Sequence, residues 1–504
     1  MEGYMFKKYY FLIFIIILIL VTFQSVFAEF GHLTILYLND THEHILPDTQ
    51  DGEEIGGLAR VATIVKQIED EGGNILFLHA GDHITGSVFS NVYHGKIDMM
   101  CFDYMGLDAT VVGNHEFDAG FDYLINELIP SVSYPVLSAN IEYENTLSNE
   151  SGPFMPYCIT EVGDFGMPII IYGLTTPDTP VQTNPDNVEG LIFNDPVGVS
   201  TGLIEGWKDR YPVIIALTHL GLSGDKFLAK EVDGIDIIIG GHSHSFIYKP
   251  VKVGDTLICQ AGQYGWYVGK IDLKFNEEGE VVNYKNTLIK VSDKYSDDEG
   301  LMETLAPYIE EVEGFSSQIL CKLDFTLGEE TDITRSRETN LGDLITDIMR
   351  AETGADVAIT NSGGIRAVIY PPKVTVGDIM KAMPFNGGIV LCEMKGADLL
   401  NVFKHGYENQ VNSGGYPQVS GARVFISEDG KVEDVLINNE KIDADKVYEV
   451  ATVKFMVSGG DGYTMFENAL SAVDTGLYQT DLMINFLSDR DTVPQPEMGR
   501  VVVE

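Results

Sequence analysis

The chain has 504 residues, enough for two to four domains, and 44% are hydrophobic with many Phe and Tyr, which excludes a disordered polymer. It carries 32 Lys and Arg against 76 Asp and Glu, a formal net charge of −44 that would repel a nucleic-acid backbone and argues against polymeric DNA or RNA as a partner. An anionic substrate would need positive charge built into its site, from metals or from the nine arginines.

In chain order, the first element is an export signal. Lys7 and Lys8 precede the apolar run FLIFIIILILVTF, and Val26 and Ala28 stand before a candidate cut, so residues 1–28 read as a signal peptide. The run is short for a membrane span. An uncleaved anchor is the alternative, and only that would bring a membrane partner. The expected location is secreted, periplasmic or cell-surface. Five cysteines (Cys101, Cys158, Cys259, Cys321, Cys392) show no CxxC spacing, which excludes a disulfide scaffold and a thiolate zinc site.

From about residue 30 to 275, apolar runs alternate with amphipathic stretches. LTILYL, NILFLHA, ATVVG, PIIIYGL, PVIIALT and IDIIIGG read as buried strands, and GGLARVATIVKQIEDEGG and IDMMCFDYMGL as helices with Gly stops. This predicts an α/β domain over residues 29–295. Residues 296–324 read as a linker helix, with Leu301, Leu305, Ile309 and Val312 on one stripe and Pro307 expected to kink or interrupt it. A second α/β domain is expected over residues 325–504.

Five of the strands run into polar residues. LYL leads to Asp40 and His42, ILFLHAGD to Asp82, and ATVVGNHEFD to Asn114, His115 and Asp118. VIIALTH ends at His219, and DIIIGGHSH at His242 and His244. Singly, each has a bland account: a capping His, a turn Asp, or Asn114 as a helix cap. Loops at the C-terminal edge of an open sheet share one crevice, so together these residues converge. Alternate positions on an extended segment would turn Asp40, His42 and His44 to one side. Nitrogen and oxygen ligands without thiolate suit zinc, manganese, cobalt or iron. So many ligands point to two ions bridged by a carboxylate, a pair that clamps a phosphoryl group.

NDTHEH, AGDHITGS, VVGNHEFDAG, THLG and GGHSH, in this order, resemble the calcineurin-like metallophosphoesterases. With NLGDLITDIMR, TNSGGIR, MPFNGG, SGGYPQ and SGGDGYTMF, the chain is similar to the exported 5′-nucleotidase / UDP-sugar hydrolase family over nearly all its mature length. The resemblance implies a four-layer α/β/β/α metallophosphoesterase domain, a linker helix and a C-terminal α/β substrate-specificity domain. It implies one divalent metal (Zn, Mn or Co) on Asp40, His42, Asp82 and His244, and a second on Asp82, Asn114, His219 and His242. It makes His115 the catalytic histidine, oriented by Asp118. Some relatives carry Gln or Asn in place of His244, which bears on metal choice. His44 is expected to lie outside the ligand set.

For the second domain the resemblance implies that Phe385 and Phe455 sandwich a nucleobase. Arg335 and Arg366 would reach phosphate, Asn361 the nucleoside and Asp461 the ribose hydroxyls, with Gly414 allowing close backbone approach. Arg337 is ranked behind Arg335. The implied activity is hydrolysis of nucleoside 5′-phosphates, and also of di- and triphosphates or UDP-sugars, to nucleoside and phosphate by metal-bound hydroxide. Two alternatives share that chemistry, a 2′,3′-cyclic-nucleotide phosphodiesterase/3′-nucleotidase and an NAD pyrophosphatase. Asp118 argues against the first, since relatives with that activity tend to carry Asn there. A non-catalytic nucleotide-binding protein would have lost ligands, and none is missing.

Overall fold

The computed structural model describes residues 31–50, 52–144, 152–162, 166–276 and 280–503, so the expected signal segment lies outside the described residues. Among the described residues no helix is long and apolar enough to cross a membrane.

Five strands organise the first half: β1 (Gly31–Leu38), β2 (Ile75–His79), β3 (Ala109–Val111), β4 (Val213–His219) and β5 (Ile237–Gly240). They fall into two six-stranded sheets rather than one open sheet. In the first, β1, β2 and β3 run parallel side by side, with Tyr267–Phe275 antiparallel on the outer side of β1. In the second, β4 lies between β5 and Met167–Thr175, parallel to both.

Alternation along each strand explains the stacking. Leu33, Ile35 and Tyr37 of β1 face Ile215, Leu217, Ile237 and Ile239 of the other sheet in a layer closed to solvent. Leu36 and Leu38, the intervening residues, face the helices on the outer side. Ile214, Ala216 and Ile238 do the same on the second sheet's outer side. Strands buried on both faces need an unbroken apolar run, which is the pattern seen in the sequence. The result is helix, sheet, sheet, helix.

Helices α1 (Leu58–Asp70), α2 (Lys96–Tyr104) and α3 (Glu299–Ser316) cover the first sheet. The α3 helix buries Leu301, Leu305 and Val312 of its expected apolar stripe in the same core as α1 and α2, and corrects one expectation. Pro307 does not end or divide it. The ring removes one N–H, but burial of the apolar stripe and the Asp298 cap, which accepts from the Leu301 N–H at 2.9 Å, hold the helix together.

In the second half, helix α4 (Asn340–Thr353) starts at a Thr339 cap and stops at Gly354, whose φ of 74° is left-handed. It covers a five-stranded mixed sheet containing β6 (Val357–Asn361), and a separate four-stranded sheet packs beyond. Met380 of this half packs onto the α1–α3 core, so the two halves meet beside the ends of the strands. The five cysteines are free thiols, all but Cys158 buried.

Candidate metal centre and substrate cleft

The ends of β1, β2 and β3 meet those of β4 and β5 across the seam between the two sheets. The chain leaving β1 is not extended. Asp40, His42 and Glu43 have φ of 52°, 51° and 54°, so a left-handed turn, not strand alternation, brings Asp40 and His42 to one spot. Short polar residues tolerate that conformation. The β1 and β2 loops are tied together: the Asp40 N–H donates to the Gly81 carbonyl and the His42 N–H to the Asp82 carbonyl, both at 3.0 Å.

Three overlapping groups of donor atoms result. Asp40, His42 and His244 form one, Asp82, His219 and His242 another, and His42, Asp82 and His115 overlap both. Asn114 joins through its Oδ1, 3.0 Å from His242 Nδ1. Asn114 precedes a short turn at His115–Phe117 but makes no side-chain cap, so its amide is left for the cluster.

Tautomers are fixed from behind. His42 Nδ1 donates to the Thr85 carbonyl at 2.6 Å, and His219 Nδ1 to the Ala80 carbonyl at 2.7 Å. In the neutral ring each Nε2 therefore presents a lone pair to the cluster. His219 Nε2 lies 3.0 Å from Asp82 Oδ2, yet it is buried without a hydrogen-bond partner. Either a proton on Nε2 or a metal cation beside the pair would satisfy both atoms at that distance. Burial alone would disfavour charge on His219, but Asp82 and Asp40 outweigh it and push its pKa up to about 10. The donor set, nitrogen and oxygen without sulfur, fits divalent metal ions.

His115 projects beside this cluster. Its Nδ1 donates to Asp118 Oδ2 at 2.6 Å, and Asp118 is held by the hydroxyls of Thr85 (2.6 Å) and Thr183 (2.8 Å). Burial opposes protonation of His115, but Asp118 and Asp82 raise its pKa above the usual imidazole value.

The second half closes the other wall. Arg335, Asn361, Arg366, Phe385, Gly414, Phe455 and Asp461 line the same cleft, of about 1320 Å³, as His42, Asp82, Asn114, His115, His242 and His244. Phe385 stacks near His115, with ring centroids 6.0 Å apart and planes at 28°, and the Arg366 guanidinium lies 5.3 Å over the Phe385 ring. Asn361, at the end of β6, donates to Asp461 Oδ2 at 2.8 Å. Burial pushes the Asp461 carboxyl up to about 6. Gly414 accepts from the Gly363 N–H at 2.7 Å, an approach so close that an added Cβ would meet Gly363 Cα at 3.3 Å. Arg337 is mostly exposed and paired with Glu329, away from the cleft lining.

Two family descriptions match the chain: calcineurin-like phosphoesterase over residues 33–246 and the 5′-nucleotidase C-terminal domain over residues 322–468. The 5′-nucleotidase of Mus musculus is 30% identical over 94% of this chain and 91% of its own length. The chain belongs to the 5′-nucleotidase family. The crystal structure of a 5′-nucleotidase precursor from Thermus thermophilus superposes with a TM-score of 0.84 at 31% identity, covering 94% of this chain and 99% of that one. A trifunctional nucleotide phosphoesterase of Bacillus subtilis is also 30% identical, but the chain spans only 35% of its length. As a 5′-nucleotidase-type metallophosphoesterase, the protein is a hydrolase whose family centre holds divalent metal ions.

Within this nucleotidase framework some residues had no sequence signal. The Glu116 carboxylate accepts the backbone N–H groups of Asp82 (3.0 Å), His83 (2.6 Å) and Gly113 (2.5 Å), locking the β2 and β3 loops to each other. Asn39 donates to Asp40 Oδ2 at 2.6 Å and accepts from the Ala261 N–H at 2.7 Å. Glu43 is buried and receives the N–H groups of Gly95 and Ile97 at the start of α2. His44 lies outside the donor clusters.

Proposed function

We propose that the chain is an exported, two-metal 5′-nucleotidase that releases phosphate from nucleoside 5′-monophosphates. The observation that carries this is a single cleft lined on one side by the Asp/His/Asn cluster and on the other by arginines, aromatics and Asp461. The expected ligand sets are Asp40, His42, Asp82 and His244 for one ion and Asp82, Asn114, His219 and His242 for the other. When bound, two such cations neutralise phosphoryl charge and lower the pKa of water from ~15.7 towards ~7.

The protein's own groups do the rest. His115, its Nδ1 proton held by Asp118, would donate from Nε2 to phosphoryl oxygen as negative charge develops there. Arg335 and Arg366 would neutralise phosphate that the acidic surface would otherwise repel. Phe385 and Phe455 would stack the base, and Asp461, oriented by Asn361, would accept the ribose hydroxyls. Export is supported by Lys7 and Lys8 ahead of the apolar run at residues 11–23. A panel of 5′-AMP, 3′-AMP, 2′,3′-cyclic AMP, UDP-glucose and NAD, run with Zn, Mn and Co, tests the proposal. 5′-AMP should be hydrolysed fastest. Preference for the cyclic nucleotide or for NAD would replace it with one of the alternatives.

A further inference from the structure

His44 and Tyr264 have no part in the proposed ligand or substrate sets, yet they form a supported pair against the metal side of the cleft. The two rings stack with centroids 3.9 Å apart and planes at 17°. His44 is held from behind: its Nδ1 donates to Asp48 Oδ2 at 2.8 Å, and the same oxygen accepts from Trp266 Nε1 at 3.0 Å. Tyr264 presents the edge or face of its ring to His42 at 5.7 Å and to His244 at 6.0 Å.

The Tyr264 backbone is in an unfavourable region. Its φ is 56°, uncommon for a bulky aromatic residue, and it persists because the Tyr264 N–H donates to the Asp40 carbonyl at 2.8 Å. Strain retained beside a site calls for a functional reason. Tyr264 lines the cleft together with Arg335 and Arg366, whereas His44 and Asp48 stand behind it. No described residue hydrogen-bonds its hydroxyl. The hydroxyl is thus a donor without a partner, on a residue that lines the same cleft as Arg335 and Arg366.

We propose that Tyr264 is a substrate-binding residue whose hydroxyl donates a hydrogen bond to the phosphoryl group, and that His44, clamped by Asp48, is the positioning residue that holds its ring in place. The role of His44 is one of shape: a flat ring beneath a flat ring. This rests on the nucleotidase reading for its ligand, a phosphate group, but not on the identity of the nucleoside.

The test is calorimetric titration of inorganic phosphate into metal-reconstituted wild type and Tyr264→Phe, with metal content and melting temperature measured on the same samples. Tyr264→Phe keeps the ring and its contacts and removes only the hydroxyl. Phosphate Kd should rise about tenfold, the loss expected for a hydrogen bond to a charged group, with metal content and melting temperature unchanged. For AMP, KM should rise more than kcat falls. His44→Ala should weaken phosphate binding in the same direction, and His44→Phe, which can still stack, should restore it. Equal phosphate affinity of Tyr264→Phe and wild type, or loss of metal from Tyr264→Phe, overturns the inference. Phosphate affinity is read independently of turnover, so failure of wild type to hydrolyse AMP would count against the nucleotidase reading alone.

Discussion

His219 Nε2 and Asp82 Oδ2 lie 3.0 Å apart, while the other ring nitrogen, Nδ1, donates to the Ala80 carbonyl at 2.7 Å. A divalent cation held by this pair and its neighbours binds the folded chain and not the unfolded one, so it stabilises the fold. Chelation should therefore lower the melting temperature as well as abolish activity. Metal at a thousandfold excess over its Kd stabilises the folded state by ~4 kcal/mol, and Asp82→Ala should show a much smaller difference between loaded and stripped protein in a thermal melt.

Stacking by Phe385 and Phe455 predicts a selective defect. A stacked base is worth about 1–3 kcal/mol, so Phe385→Ala or Phe455→Ala should raise KM for AMP by about 5- to 150-fold. Hydrolysis of p-nitrophenyl phosphate, which has no base, should change little. Parallel kinetics on the two substrates check this.

Asp461 predicts a pH dependence. Burial holds its carboxyl at about 6, so it gains a proton as pH falls through that value and loses the charge that strengthens bonds from ribose hydroxyls. KM for AMP should rise below pH about 6. In Asp461→Asn that rise should flatten, leaving only the titration of the substrate phosphate, as a KM–pH profile of both proteins would reveal.

Glu116 predicts a positioning defect. Glu116→Gln replaces one acceptor oxygen with an NH2 group facing backbone N–H donors, a cost of about 1–3 kcal/mol for each group left unpaired in the interior. Lower thermal stability and lower metal content, measured on the same preparation, are the expected results.

Asp236 predicts a stability change remote from the cleft. Its Oδ2 accepts from the Ile214 N–H at 2.8 Å, and burial pushes its pKa up to about 6. The unfolded carboxyl titrates near ~3.9, so the folded chain binds the proton more tightly and stability falls as pH rises from about 4 to about 6. Asp236→Asn keeps an acceptor for Ile214 and should be more stable than wild type by about 1–2 kcal/mol at pH 8, with the gain vanishing near pH 4. Denaturant melts at the two pH values measure it.

The strands and their polar ends were legible because burial on both faces demands continuous apolar runs, against which Asp40, Asp82, Asn114, His219 and His242 stand out. Their division between two sheets was expected only from the family resemblance and not from the strand pattern, since strand pairing is set by contacts far apart in sequence. The left-handed turn at Asp40 and His42 was equally hidden, and alternation suggested an extended segment in its place. Glu116 carried no signal because its partners Asp82 and His83 are more than thirty residues away. His44 looked idle because its neighbour Tyr264 is distant in the chain.

The most direct test of the two-metal nucleotidase account is phosphate release from AMP by purified wild type, His115→Ala and Asp82→Ala, with metal content determined for each. Wild type should bind two divalent ions per chain and yield adenosine and phosphate in equal amounts. His115→Ala should keep its metals and lose about 100-fold or more in kcat, while Asp82→Ala should lose both metal and activity. AMP hydrolysis that survives metal removal, or full activity in either variant, would contradict it.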